Sequence, residues 1–244
     1  MRLDTEERRV GESTMSTYDE GMSIILANRI YLYTLLQRVF GDEPDLKMIE
    51  VVLSSHTKEA LQLFETNQNE FEEAYNLLEQ IENEMLKRKK TDILDMMRME
   101  YTALLIGPNK LPAPPWESVY VTRENVLFQE STLKVRQFYL KYNLLPEKYP
   151  SEADDHLGME LDFMAKLAKY TYDAFVEKDL AKVKPLLLGQ IKFLREHLLV
   201  WVGTFSKQIQ QSKTIYFYPQ MASLTWEILN IDLALLNELE SKIS

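Results

Sequence analysis

Apolar residues recur along this chain at three- and four-residue intervals, the spacing that lines one face of an α-helix. Ile24, Ile25, Asn28, Leu32, Leu35, Leu36 and Val39 mark such a face on a first helix, which Gly41 ends. Pro44 restarts the chain. Asp45 to Leu53 and Thr57 to Glu65 read as two short helices around a break at Ser54-Ser55. Asn69 to Lys89 carries Phe71, Tyr75, Leu78, Ile81 and Met85 on one stripe. It closes on the basic run Lys87 to Lys90, which suits the negative end of a helix dipole. Thr91 is the expected N-cap of a helix over Ile93 to Ile106, and Thr122 to Tyr142 forms the next, ending before Pro146.

Ser151, with Asp154 three residues on, resembles a capping box for a long helix reaching Glu177. Leu157, Leu161, Met164, Ala168, Thr171 and Phe175 line one face of it. Asp179 opens a further helix, interrupted or kinked at Pro185, and a strongly apolar segment follows from Leu186 to Phe205. Pro219 opens the last helix, with Leu224, Ile228, Ile231, Leu235 and Leu239 at helical spacing. Thr214 to Tyr218 has strand propensity but no mate. The pattern predicts an all-α fold: one multi-helix bundle of roughly ten helices over residues 19–244, behind a flexible N-terminal tail over 1–18.

Composition agrees with this. Seven glycines are few for 244 residues, and 45% apolar content supplies a core. The chain has no cysteine, so nothing points to an oxidising compartment. Lys and Arg number 28 against 38 Asp and Glu, a net charge of −10. That disfavours nucleic acid, whose phosphates need cationic neutralisation, and leaves room for a basic partner. No apolar run approaches the roughly 20 residues of a membrane span. Arg8-Arg9 is followed by Glu12, Asp19 and Glu20 rather than by an uninterrupted apolar segment, so no signal peptide is read and a cytoplasmic location is expected.

Two runs carry the candidate chemistry. From Glu100 to Tyr120 an apolar helical stretch stops at Gly107-Pro108. A loop follows in which Pro108, Pro112, Pro114 and Pro115 lead into Trp116 and Tyr120. Proline fixes φ and donates no backbone hydrogen bond, so this loop is a stiff, aromatic binding edge. The second run, Ser151 to Phe163, holds Glu152, Asp154, Asp155, Glu160 and Asp162 around His156, without lysine or arginine. An acidic first turn suits any helix N-terminus. His156 beside carboxylates additionally offers paired donor and acceptor groups to a cationic or peptide ligand.

Enzyme signatures are sparse. There is no phosphate-binding glycine loop, no dinucleotide fingerprint and no nucleophile elbow. His156 and Glu160 share a helical face, but the Glu-x-x-His pairs of a di-iron bundle are missing. No metal and no cofactor are expected, and the chain is read as a non-enzyme. A helical metal-dependent hydrolase using His156, Glu160 and His197 is the alternative. His197, among apolar neighbours with Trp201 one turn on, reads as a buried, hydrogen-bonded histidine, and Trp201 as core.

The ordered set Glu100-Tyr101, Leu104, Gly107-Pro108, then Pro112 and Pro114-Pro115-Trp116-Glu117-Ser118-Val119-Tyr120, then Asp154-Asp155-His156-Leu157 with Glu160 and Phe163, then His197-Leu198 and Trp201, resembles the redox-enzyme maturation chaperones of the TorD/DmsD type, related to the nitrate reductase assembly proteins. Two positions depart from that pattern: Leu105-Ile106 replaces a phenylalanine before the Gly-Pro turn, and Ala153 replaces a proline. The resemblance implies an all-α chaperone, prone to domain-swapped homodimers. It would bind the twin-arginine signal peptide and folded portion of a molybdoenzyme precursor, holding it from export until its cofactor is inserted. The residues it nominates for peptide binding are Tyr101, Leu104, Pro115, Trp116, Ser118, Tyr120, Glu152, Asp154, Asp155, His156 and Glu160.

Overall fold

The computed structural model describes residues 17–63, 68–121, 130–145, 153–212 and 217–243, without the side chains of 17, 18, 68–74 and 84. Residues 1–16 of the tail expected over 1–18, the predicted helix start at Thr122, the capping-box residue Ser151, the candidate Glu152 and most of the Thr214–Tyr218 run lie outside the described residues, while Thr17 and Tyr18 already belong to the first helix. The rest is helix and connecting turn. Helix α1 (Thr17–Gly41) packs along most of its length on α8 (Leu157–Val176), and these two form the centre of the bundle. Two glycines allow their close approach. A Cβ on Gly158 would stand 2.8 Å from the Gly41 Cα, so the backbones nearly touch where α8 begins and α1 ends.

Short helices α2 (Leu46–Val52) and α3 (Ser55–Gln62) follow α1. Asp45 caps the first by accepting from the Met48 N–H, and Ser54 caps the second by accepting from the Thr57 N–H. Then come α4 (Gln68–Leu86), α5 (Lys90–Tyr101), α6 (Glu117–Val121) and α7 (Glu130–Lys141). Beyond α8 run α9 (Leu180–Phe193), α10 (Leu199–Ile209) and α11 (Tyr218–Lys242). The last packs against α4, α9 and α10, closing a core in which Phe193, Trp201, Phe205, Phe217 and Tyr218 are fully buried.

Several predicted helix boundaries are corrected. Thr91 does not cap α5; the helix begins at Lys90, and Lys89 at its start makes no side-chain cap. The cap of α8 is His156, whose Nδ1 accepts from the Gly158 N–H at 3.1 Å, so the helix starts at Leu157 and Asp154 precedes it. Helix α9 runs through Pro185 without interruption, at the loss of one backbone hydrogen bond. Two segments widen into π-helix: Thr102–Ile106 after α5, and Leu194–Leu198 between α9 and α10. The first ends at Gly107, whose φ of 104° lets it turn the chain into the proline loop, and whose N–H reaches the Thr102 carbonyl.

Arg29 reads in sequence as a polar interruption of the first apolar face; in the fold it is fully buried. Its Nε and Nη2 donate to Asp232 of α11 at 2.6 and 3.0 Å, and Nη2 also to Gln190 of α9 at 2.6 Å. Tyr33 donates to the same Asp232 at 2.6 Å, and Gln190 donates onward to Thr171 of α8 at 2.8 Å. One polar network therefore fixes the register of four helices.

Candidate functional site

The two runs singled out in the sequence meet. Trp116 and His156 pair as an isolated antiparallel bridge: the Glu117 N–H donates to the Asp155 carbonyl at 3.0 Å, and the Leu157 N–H to the Pro115 carbonyl at 2.9 Å. Their rings stand edge to face with centroids 5.5 Å apart. The proline loop presents an extended edge because its prolines keep it out of helix, and the turn before α8 supplies the matching edge. Among the described residues this is the sole β pairing.

The acids around His156 turn inward. Asp155 accepts the Ser118 N–H at 2.9 Å and so caps the first turn of α6, while its Oδ1 is buried with no hydrogen-bond partner. Asp154 takes the Nε of Arg136 from α7 at 2.5 Å, and its carbonyl takes the Tyr139 hydroxyl at 2.8 Å. Burial pushes the Asp154 carboxyl up, with Arg136 opposing. Glu160 accepts from the Trp201 indole at 3.2 Å. Burial, then the Glu117 and Asp155 charges, push its carboxyl well above the usual range, and a hydrogen bond shared with Glu117 favours the neutral acid. Asp154, Asp155 and Glu160 are all buried, so none lies open along the wall of a cleft.

A carboxylate–imidazole pair is built at His197, whose Nδ1 lies 2.9 Å from the Glu117 Oε2 with both groups buried. The π-helical turn at Leu194–Leu198 delivers His197 to this position. The reading of His197 as a buried, hydrogen-bonded histidine and of Trp201 as core agrees with the fold. Glu117 was not among the nominated residues; its signal was being the one charge in an apolar and hydroxyl run. Arg136 carried no signal in the sequence, because its role depends on where α7 lies.

The remaining nominated residues divide by depth. Trp116, Tyr120 and Tyr101 are partly exposed, while Leu104, Pro115 and Ser118 are buried. Tyr120 stacks on Trp201 with centroids 5.3 Å apart, and burial pushes its hydroxyl up. Tyr101 belongs to the same aromatic system by a longer route: it lies 5.5 Å from Tyr218, which reaches Phe40 at 6.3 Å, which reaches Phe205 at 6.1 Å beside Trp201. Glu100, next to Tyr101, accepts the Phe217 and Tyr218 N–H groups at 2.8 and 3.0 Å, capping α11 where Phe217 provides no side-chain cap.

The metal-hydrolase alternative finds no support in this geometry. His156, Glu160 and His197 are each turned to a different structural partner. Among the described residues no three His, Asp or Glu side chains group closely enough to hold a metal ion. Nor, among them, is any helix long and apolar enough to cross a membrane.

Over 126 residues the chain is 39% identical to the probable Tat proofreading chaperone DmsD of Haemophilus influenzae, covering 52% of this chain and 55% of that protein. Over 211 residues it is 23% identical to the chaperone protein TorD of Aliivibrio salmonicida, covering 85% and 94%. Over 80 residues it is 40% identical to the Tat proofreading chaperone DmsD of Salmonella typhimurium, covering 33% and 39%. The chain thus spans about half the length of the first of these relatives, and more than nine-tenths of the second. Residues 65–207, which include both runs and the bridge between them, match the nitrate reductase delta subunit family, and the chain belongs to that family.

Proposed function

We propose that this chain is a cytoplasmic chaperone that binds the twin-arginine signal peptide of a molybdoenzyme precursor and holds it until the cofactor is inserted. The observation that carries this reading is the Trp116–His156 bridge, which joins the aromatic loop edge and the acid-flanked imidazole into one patch. Beneath that patch lie the carboxyl groups of Glu117, Asp154, Asp155 and Glu160, answered by Arg136 and the His197 imidazole. With Glu160 holding a proton and Asp154 paired to Arg136, the Asp155 oxygen left without a hydrogen-bond partner is the acceptor offered to a cationic segment. Trp116, Tyr120 and Tyr101 offer part-exposed rings to the apolar, helix-prone middle of a signal peptide. The acids set orientation and selectivity more than affinity, because each is already engaged inside the fold. The relatives named as Tat proofreading chaperones and as TorD support the same reading.

Calorimetry with a synthetic twin-arginine signal peptide tests it. Trp116→Ala should weaken binding by about tenfold, the size of one lost anchor of roughly 1.4 kcal/mol, and Asp155→Asn by less. Asn at 155 keeps an oxygen for the Ser118 N–H, so the local fold is retained. Replacing the paired arginines by glutamines should weaken binding comparably. Equal affinity for all of these would remove the patch from the binding site.

A further inference from the structure

On the other side of His197 lies a groove of about 540 Å³ between α7 and the α9–α10 junction, lined by Lys134, Gln137, Phe138, Lys141, Lys192 and His197. Three lysines around one cavity are notable in a chain of net charge −10. Their carboxylate neighbours are few and exposed. Lys134 meets Glu130 one turn back at 3.0 Å, and Lys192 approaches Glu196, also on the groove wall, at 3.8 Å. Exposed pairs of this kind hold their partners weakly, so an incoming anion competes readily. The floor is apolar: Phe138 stands edge-on to His197 at 5.1 Å, and the Lys192 ammonium lies 5.7 Å over its ring.

We infer that this groove is an interaction surface for an acidic, amphipathic helical segment of a partner polypeptide. Such a segment would lay its apolar face on Phe138 and its carboxylates on Lys134, Lys141 and Lys192. Charge complementarity names the occupant. The groove is cationic where the protein as a whole is anionic, so it rejects the basic peptide that the patch around Trp116 suits. Lys134 and Lys141 stand two helical turns apart, about 10 Å along α7, matching glutamates at the same spacing on a docked helix. The apolar floor at Phe138 favours a polypeptide with an apolar face over a small, fully polar anion.

The test uses the full chain and a fluorescein-labelled helical peptide with leucines and glutamates at i, i+3, i+4 and i+7, read by anisotropy. Wild type should bind it, with affinity falling as salt rises. The triple substitution Lys134→Gln, Lys141→Gln, Lys192→Gln should weaken binding by about tenfold or more, since rim charges act together. Lys166→Gln with Lys169→Gln, on α8, should leave binding unchanged. The triple variant should also bind a twin-arginine peptide as wild type does, so this inference and the proposed function stand or fall separately. No binding by wild type would overturn the inference, as would equal binding by the triple variant. So would displacement of the peptide by equimolar tripolyphosphate, which would mark a small-anion site, or a wild-type dimer that the triple variant loses, which would make a second copy the occupant.

Discussion

His156 hydrogen-bonds its own helix and faces Trp116 in the same pose: its Nδ1 caps α8 through the Gly158 N–H while its ring meets the indole edge to face at 5.5 Å. One side chain thus starts the central helix and pins the proline loop to it. His156→Ala should cost about 2 kcal/mol, combining a lost cap and a lost ring contact. His156→Asn keeps a capping oxygen and should recover about half of that. Thermal melting followed by circular dichroism checks both; equal losses would show that the cap contributes nothing.

Glu160 makes stability fall with rising pH. Its folded carboxyl titrates well above its ordinary value of 4.5 because of burial first, and then the nearby Glu117 and Asp155 charges. The folded state therefore holds a proton that the unfolded chain gives up. The associated stability is full below the ordinary value and drains as pH climbs from there through the raised value. Glu160→Gln, which keeps an acceptor for the Trp201 indole, should flatten that decline and gain on wild type most at alkaline pH. Urea unfolding of both proteins across pH 5 to 9 reads the difference. Parallel curves would exclude Glu160 as the titrating group.

The Arg29–Asp232 pair should behave as a buried ion pair whose halves cannot be separated cheaply. Both side chains are wholly buried at 2.6 Å, with Tyr33 and Gln190 sharing their charges. Arg29→Met or Asp232→Leu alone should each cost about 3–5 kcal/mol by stranding the other charge. The double variant should cost clearly less than the sum, which a double-mutant cycle in urea measures.

Two glycines should respond oppositely to alanine. At Gly158 a new Cβ would stand 2.8 and 3.0 Å from the Gly41 Cα and N, backbone atoms that move only if α1 and α8 separate. Gly158→Ala should cost about 1–3 kcal/mol as overpacking. At Gly21, inside α1, a Cβ meets nothing within 4 Å, and Gly21→Ala should stabilise by about 0.5–1 kcal/mol. Melting temperatures that shift in the same direction for both would contradict this packing of α1 on α8.

Periodicity alone determined that the chain is a helical bundle. The places where α1, α9 and α11 end or begin followed from Gly41, Asp179 and Pro219, because capping and proline chemistry act within a few residues; α3 starts at Ser55, two residues before the predicted Thr57, because Ser54 caps the helix instead of breaking the chain. The same locality made the two unusual runs around Trp116 and His156 legible. Depth was not legible. A charged residue on a helix is ordinarily solvated, so nothing near Arg29 in sequence announced Asp232, and nothing near Asp154 announced Arg136. A buried imidazole–carboxylate pair forms at His197 because a π-helical turn and α6 bring it to Glu117, a meeting set by how helices stack. Burial and partner choice are sums over neighbours distant along the chain, so only the tertiary structure decided that Asp154, Asp155 and Glu160 are buried and hold the fold together.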